Sequence, residues 1–379
     1  MKKMLNIKLC TGCTACKSIC PKQAIKMIAD RDGFLYPFID KEKCINCKLC
    51  ESICPLEKKF VPTINKVYAA KSNNREVVLK SSSGGIFYEI AKYVFENNGC
   101  VCGAAFDSNF QVHHIVIDNI DQLPQIMTSK YVQSRMEDCF EKIKKNLNFG
   151  TLVLFSGTPC QSNGLKSYLK KEYKNLICID IICHGVPSPR VWSYELGKYK
   201  KHNKSPIKDI TFRDKKISWQ EYGYSCTYED NSKLYNRHQD TTYSKAFLND
   251  LSLRKSCYYC KAKGINRASD ITLGDFWGCD NLSISINDNN YGLSLVIVHS
   301  DIGLSFINKL NIKLEKVNET VLNSNLSYFY SSLEYKKRNS YMNKVNEFNY
   351  DELTQKLARK TYFGRIINKL KRIFRNFGK

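Results

Sequence analysis

Cys10-Thr11-Gly12-Cys13-Thr14-Ala15-Cys16-Lys17-Ser18-Ile19-Cys20-Pro21 recurs as Cys44-Ile45-Asn46-Cys47-Lys48-Leu49-Cys50-Glu51-Ser52-Ile53-Cys54-Pro55, with the same spacing and the same Ser-Ile-Cys-Pro ending. Three close cysteines wrap one face of a 4Fe-4S cubane, and the fourth lies too far along the chain to close the same cluster, so it serves the neighbour. That rule groups Cys10, Cys13, Cys16 and Cys54 around one cluster, and Cys44, Cys47, Cys50 and Cys20 around the other. Zinc motifs bring cysteines in separated pairs rather than in such a run closed by proline.

The repeats predict a two-cluster ferredoxin module over residues 1–62. Between them, Asp30-Arg31-Asp32-Gly33-Phe34-Leu35-Tyr36-Pro37 has the turn chemistry of a short hairpin packed over a cluster. Of the eighteen cysteines, ten fall in the two four-cysteine runs and in Cys257-x-x-Cys260, and behind a start with no apolar h-region these read as metal sites in a reducing cytoplasm rather than as disulfides. The longest apolar runs, 151–155 and 293–298, fall far short of the roughly 18 residues of a spanning helix. The net charge of +23 comes with no nucleic-acid recognition motif, so nucleic acid is not expected as a partner.

From Val67 onward strand-like runs alternate with helical periods, which predicts a mixed α/β domain over 63–335 and an α+β chain as a whole. A strand from Val67 to Lys71 leads to Lys80-Ser81-Ser82-Ser83-Gly84-Gly85. This loop opens a helix with Ile86, Phe87, Ile90, Val94 and Phe95 on one face, ended by Asn98-Gly99. Such a loop offers free N–H groups and hydroxyls to an anion, or simply caps the helix. A hairpin is expected from Cys100–Asp107 with Val112–Asp118, and buried strands at Thr151–Phe155 and Leu176–Ile182.

Those last two strands end alike, in Gly157-Thr158-Pro159-Cys160-Gln161 and in Cys183-His184-Gly185-Val186-Pro187-Ser188. Functional groups collect at the carboxyl ends of parallel strands. Cys160 and Cys183 are therefore expected to face each other, and Cys257-Tyr258-Tyr259-Cys260 supplies a second pair for a third 4Fe-4S site, with Cys279 as a rival ligand. Cys100, Cys102, Cys139, Cys178 and Cys226 read as core.

Ser82-Ser83-Gly84-Gly85, Ser129-Lys130-Tyr131-Val132-Gln133-Ser134, the 157–161 and 183–188 loops, and Arg267-x-x-Asp270-Ile-Thr-Leu-Gly-Asp275-Phe-Trp-Gly, taken in this order, resemble the beta-subunit family of coenzyme F420-reducing hydrogenases and dehydrogenases. The resemblance runs to about residue 300. It implies FAD and an inner 4Fe-4S cluster in the larger domain, with the flavin near Ser82, Ser83, Gly84, Gly85, Lys130, Tyr131, Gln133, Gly157, Thr158 and Pro159. A flavin accepts a hydride and releases electrons singly, and each cluster carries one electron.

The chain is thus expected to be an FAD-dependent oxidoreductase relaying electrons between its clusters and a hydride carrier such as coenzyme F420, or an organic substrate. Its partner would be a redox protein or a reduced carrier. The alternatives are a non-catalytic electron-transfer subunit and a flavin enzyme acting on a glycan intermediate. Lys130 suits the flavin ring or pyrophosphate, or is a solvated lysine. His184 relays protons or fixes its loop, and Asp275 lines the substrate side or closes the core. Residues 336–379 read as a basic tail whose apolar positions, Tyr362 to Phe377, recur at helical spacing, as in helices that lie on anionic membrane surfaces or dock on a partner.

Overall fold

The computed structural model describes residues 7–287, 291–345 and 349–358. The amphipathic stretch 362–377 lies outside the described residues.

Near the N-terminus, β1 (Ile25–Ala29) and β2 (Leu35–Ile39) form an antiparallel ribbon with Ile25 opposite Ile39 and Lys26 opposite Phe38. Side chains alternate across a ribbon, so Ile25, Met27 and Ile39 turn toward the cysteine loops while Lys26, Ile28 and Phe38 face outward. Each cysteine triplet winds into a single helical turn, Ala15–Ser18 and Leu49–Ser52, entered through a left-handed residue, Thr14 or Lys48.

The larger domain is built on β3 (Lys66–Ser72), β4 (Cys100–Phe106), β5 (Val112–Ile117), β6 (Val153–Gly157) and β7 (Leu176–Ile181), followed by β8 (Ile207–Asp214), β9 (Gly223–Tyr228), β10 (Lys233–Arg237), β11 (Ile271–Asp275), β12 (Ser294–Val298) and β13 (Ile312–Lys316). Eight of these strands make one sheet in the order β13-β3-β12-β11-β7-β6-β4-β5. Its centre is parallel, with β4 beside β6, β6 beside β7 and β7 beside β11, while the flanking pairs run antiparallel. The central strands are continuous apolar runs because helices cover both faces. On one face the helix Ile86–Glu96 sets Ile86, Ile90 and Val94 against Val101, Leu154 and Ile177. On the other, Pro159–Leu169 and Cys139–Asn148 bury Leu165, Phe140 and Ile143 against Phe155 and Cys178.

β10-β9-β8 form a separate antiparallel sheet. Its inner face packs Phe212, Tyr224 and Tyr228 on Trp192 and Tyr199 of the helix Pro189–His202. The helices Arg338–Lys344 and Tyr350–Leu357 complete that core through Tyr341, Met342, Tyr350 and Leu353. Both helices fall in the span 336–379 that the sequence reads as a basic tail, and their apolar faces pack against the small sheet and the helix Pro189–His202.

The ferredoxin module is locked to this body by the turn between β1 and β2. Asp30 Oδ1 accepts from the N–H groups of Asp32 and Phe34, which presents the buried Asp32 carboxylate to Arg190 at 3.2 Å and Arg338 at 3.1 Å. Gly33 is left-handed at φ 83°, and a β-carbon there would lie 2.9 Å from the Arg190 nitrogen, so the close approach needs glycine.

Candidate functional site

Two small cavities lie under the ribbon. One is lined by Cys10, Cys13, Cys16 and Cys54 with Met27, the other by Cys20, Cys44, Cys47 and Cys50 with Ile25 and Ile39. These are the same two groups that the crossing rule makes. The proximal and distal groups abut: Cys54 and Cys50 both contribute to the electrostatic environment of Cys16, whose thiol is pushed up to about 12 by burial first and by these neighbours after it.

A third cavity is lined by Cys160, Cys183, Cys257 and Cys260, with His184, Arg254 and Lys263 on its rim. Cys160 comes from the first turn of the helix Pro159–Leu169 that follows β6, and Cys183 from just beyond the parallel neighbour β7. Cys257 and Cys260 come from the 3₁₀ turn Lys255–Tyr259 and the residue after it. Burial, then Cys260 and Cys183, push the Cys160 thiol up to about 12. Thiols so crowded and desolvated lose their protons only when a cation takes the charge.

The donor set fits iron-sulfur ligation. Four cysteines line each of the three cavities, the count and ligand type that a 4Fe-4S cluster takes. Backbone N–H groups already aim at sulfur: Val186 N lies 3.3 Å from Cys257 Sγ and Ala24 N 3.3 Å from Cys20 Sγ. Lys263 donates to the carbonyls of Cys183 and Ser327, placing a half-buried amine beside the inner set, its charged form disfavoured by desolvation. Hydrogen bonds to the sulfurs tune a cluster's potential. Cys279 is not among these thiols. It is buried with Trp219, Phe276 and Ile284 in the core beyond β11. Cys100, Cys102, Cys139, Cys178 and Cys226 also lie in the core.

Next to the inner set opens a cavity of about 270 Å³. Its walls include Ser82, Ser83 and Gly85 at the start of the helix Ile86–Glu96, the segment Lys130–Gln133, and Gly157 and Thr158 after β6. Ser82 Oγ accepts from Ser129 N at 2.9 Å, which ties the serine loop to the second segment. Two of the expected flavin residues are elsewhere. Gly84 is turned into the sheet, where a β-carbon would meet the Ala70 carbonyl at 2.6 Å, and Pro159 lines the inner thiol cavity instead.

The three expected catalytic residues sit in three different settings. Lys130 lines the cavity and donates to the Met127 carbonyl at 2.6 Å, and burial pushes its ammonium down to about 7. Asp275 also lines it, but Arg213 holds both carboxylate oxygens at 2.7 and 2.9 Å and Trp219 donates to one of them at 3.1 Å. His184 lines the thiol cavity, its Nε2 2.9 Å from the buried Asp250 Oδ1.

Residues beyond the sequence reading complete the walls. Arg213, from β8, also donates to the Ser82 carbonyl at 2.8 Å, so the second sheet clamps the serine loop. His114 sits between Ser134 Oγ at 2.6 Å and the Ser156 carbonyl at 3.1 Å, and burial pushes it down to about 4. It is neutral at physiological pH, with Nε2 donating to the carbonyl and Nδ1 accepting from the serine. Arg267 and Asp270 are framework. Arg267 pairs with Asp180 at 3.0 Å, both fully buried, and Asp270 accepts from Cys178 N at 2.8 Å.

Residues 150–320 match the family described as the C terminus of the coenzyme F420 hydrogenase/dehydrogenase beta subunit. Over that segment the chain is similar to that family. Residues 9–58 match a 4Fe-4S dicluster domain, so the protein is an iron-sulfur electron-transfer protein related to the F420 hydrogenase beta subunit. The beta-subunit segment runs from before β6 to beyond β13 and carries all four inner thiols, whereas the serine loop and Lys130 precede it. No curated protein matches the chain. A solved structure of the F420-reducing [NiFe] hydrogenase complex from Methanosarcina barkeri aligns with 80% of this chain and 92% of its own, at 14% identity and a TM-score of 0.45. A likeness that distant carries no functional argument.

Proposed function

We propose that the chain is an iron-sulfur flavoenzyme. It relays electrons between two ferredoxin-type clusters, an inner 4Fe-4S cluster held by Cys160, Cys183, Cys257 and Cys260, and FAD in the adjacent cavity, in exchange with a hydride carrier such as coenzyme F420 or with an organic substrate. Thr11 carries the reading: this one residue lines the proximal cluster cavity, the inner thiol cavity and the flavin cavity alike. Cys160 likewise lines both the inner and the flavin cavities. The three cavities therefore meet around one residue, an arrangement that supports single-electron steps between them.

A bound flavin supplies the change from hydride chemistry to single electrons. Ser82 and the N–H groups at the start of the helix Ile86–Glu96 would hold its anionic pyrophosphate. Lys130 would offer its amine to the ring or the phosphates, and Arg213, itself held by Asp275, fastens the serine loop through the Ser82 carbonyl. Neutral His114 holds Ser134 and the Ser156 carbonyl in place.

Anaerobic purification with iron, sulfide and flavin analysis tests the reading. About twelve irons and one flavin per chain are expected. Eight irons without flavin would reduce the protein to a ferredoxin-like carrier. Flavin-dependent reduction of a dye by the isolated chain separates an enzyme from a subunit that only wires a partner.

A further inference from the structure

Among the described residues Cys47 is the single exposed cysteine. The distal cavity it lines has Lys22 and Lys48 on its rim, and the turn entering Cys44 carries the exposed Lys41 and Lys43. Lys26 stands on the outer face of the ribbon opposite Phe38. Around these charges Ile28, Phe38 and Ile45 are 48%, 56% and 58% exposed. Of the carboxylates on the same loops, Glu42 and Glu51 are exposed, while Asp40 accepts from the N–H groups of Glu42 and Lys43. Five lysines surrounding exposed apolar side chains outweigh the three carboxylates of Asp40, Glu42 and Glu51.

We propose that this surface docks an acidic one-electron carrier protein, which exchanges electrons with the relay through the Cys20, Cys44, Cys47 and Cys50 cluster. The inference rests on the relay reading above. Tunnelling falls steeply with distance, so exchange favours the cluster with the least protein over it. The inner thiols lie under the loops of the larger domain, and the proximal set has the distal set on one side and Cys160 on the other. The lysines steer an acidic partner and set its orientation, and the apolar side chains between them give the contact a dry centre. In the transfer one electron leaves the reduced carrier and reduces the distal cluster; no bond or proton is exchanged.

The test is anaerobic stopped-flow reduction of the full, cofactor-loaded chain by a small acidic two-cluster ferredoxin, with the cationic methyl viologen radical as comparison. With ferredoxin, the second-order rate is expected to fall about tenfold or more when ionic strength rises across the range in which surface charges become screened. The combined change Lys26→Glu, Lys41→Glu and Lys43→Glu is expected to slow ferredoxin about tenfold at low salt while viologen reduces it no more slowly. The milder Lys→Gln set should fall between, with iron per chain unchanged in both. A ferredoxin rate indifferent to salt, or to charge reversal in an iron-replete variant, would overturn the proposal. A wild-type chain that lacks iron or that viologen cannot reduce would instead overturn the relay reading beneath it.

Discussion

Arg254 Nε donates to the carbonyl of Cys10 across 2.8 Å, joining the loop that leads to Cys257 to the first ligand loop of the ferredoxin module. The same guanidinium donates to the Leu35 carbonyl at 2.8 Å and to Gln133 Oε1 at 2.6 Å, and lies 4.1 Å from the Tyr36 ring centre. At 1% exposure it is a buried strut between the ferredoxin module, the flavin cavity wall and the inner thiols.

Arg254→Met is expected to leave the Cys10 and Leu35 carbonyls without this donor, at about 1–3 kcal/mol for each one kept from water, while Gln133 Oε1 keeps the Leu35 N–H. Arg254→Lys does not restore the fork, since lysine lacks the planar geometry that reaches three acceptors. Denaturation midpoints of the two variants and the wild type check this, and equal midpoints for the lysine variant and the wild type would refute it.

Asp32 anchors the module at its other end. Asp32→Ala leaves Arg190 and Arg338 facing each other in a buried site, and removing one partner of such a group costs about 3–5 kcal/mol. Limited proteolysis is expected to cut the variant after Pro55 and before β3 faster than the wild type, releasing an iron-containing fragment.

Cys160→Ser is expected to lower iron by about four atoms per chain, and Cys279→Ser to leave it unchanged. Equal losses would return Cys279 to the ligand set.

For Lys130 the pH dependence follows from burial, which pushes the folded-state value down to about 7 from the usual 10.5 while the nearby Asp209 opposes the shift. Below about pH 7 the ammonium is charged in both folded and unfolded chains, and the fold bears the whole cost of burying it. As pH rises from there toward the unfolded value, the folded chain has released a proton that the unfolded chain still holds, so stability from this group increases. Lys130→Met is therefore expected to gain most over the wild type in acid, with the gain shrinking toward alkaline pH; urea titrations across that range measure it.

Much of this was legible from local pattern. The cluster ligands announce themselves because four cysteines and a proline at fixed spacing leave little else to build. The strands leading to Cys160 and Cys183 are readable as short buried apolar runs, and their pairing puts both cysteines at one edge. Arg213 and Arg254 were not legible. Each acts through partners more than sixty residues away, and nothing in the flanking sequence distinguishes an arginine that braces carbonyls from one in solvent. The small sheet β8–β10 was missed for a related reason: its strands are interrupted by charged residues on the exposed side, as in Ile207-Lys208-Asp209-Ile210. The helices at 338–344 and 350–357 were absorbed into a basic tail because their buried tyrosines are spaced among lysines and asparagines.

The helix Pro159–Leu169 bears Cys160 in its first turn, and Gly164, one turn on, packs against Cys13: a β-carbon at Gly164 would sit 2.9 Å from the Cys13 sulfur. The interval between the inner and proximal groups is thus measured out by a single helical turn, about 5.4 Å of rigid backbone. Such a ruler makes the internal hop indifferent to the thickness of the surrounding medium, whereas collisions at the outer lysine rim must slow as the solvent is made more viscous. Turnover that tracks glycerol content would then report encounter with the carrier, and turnover that ignores it would report the wire itself.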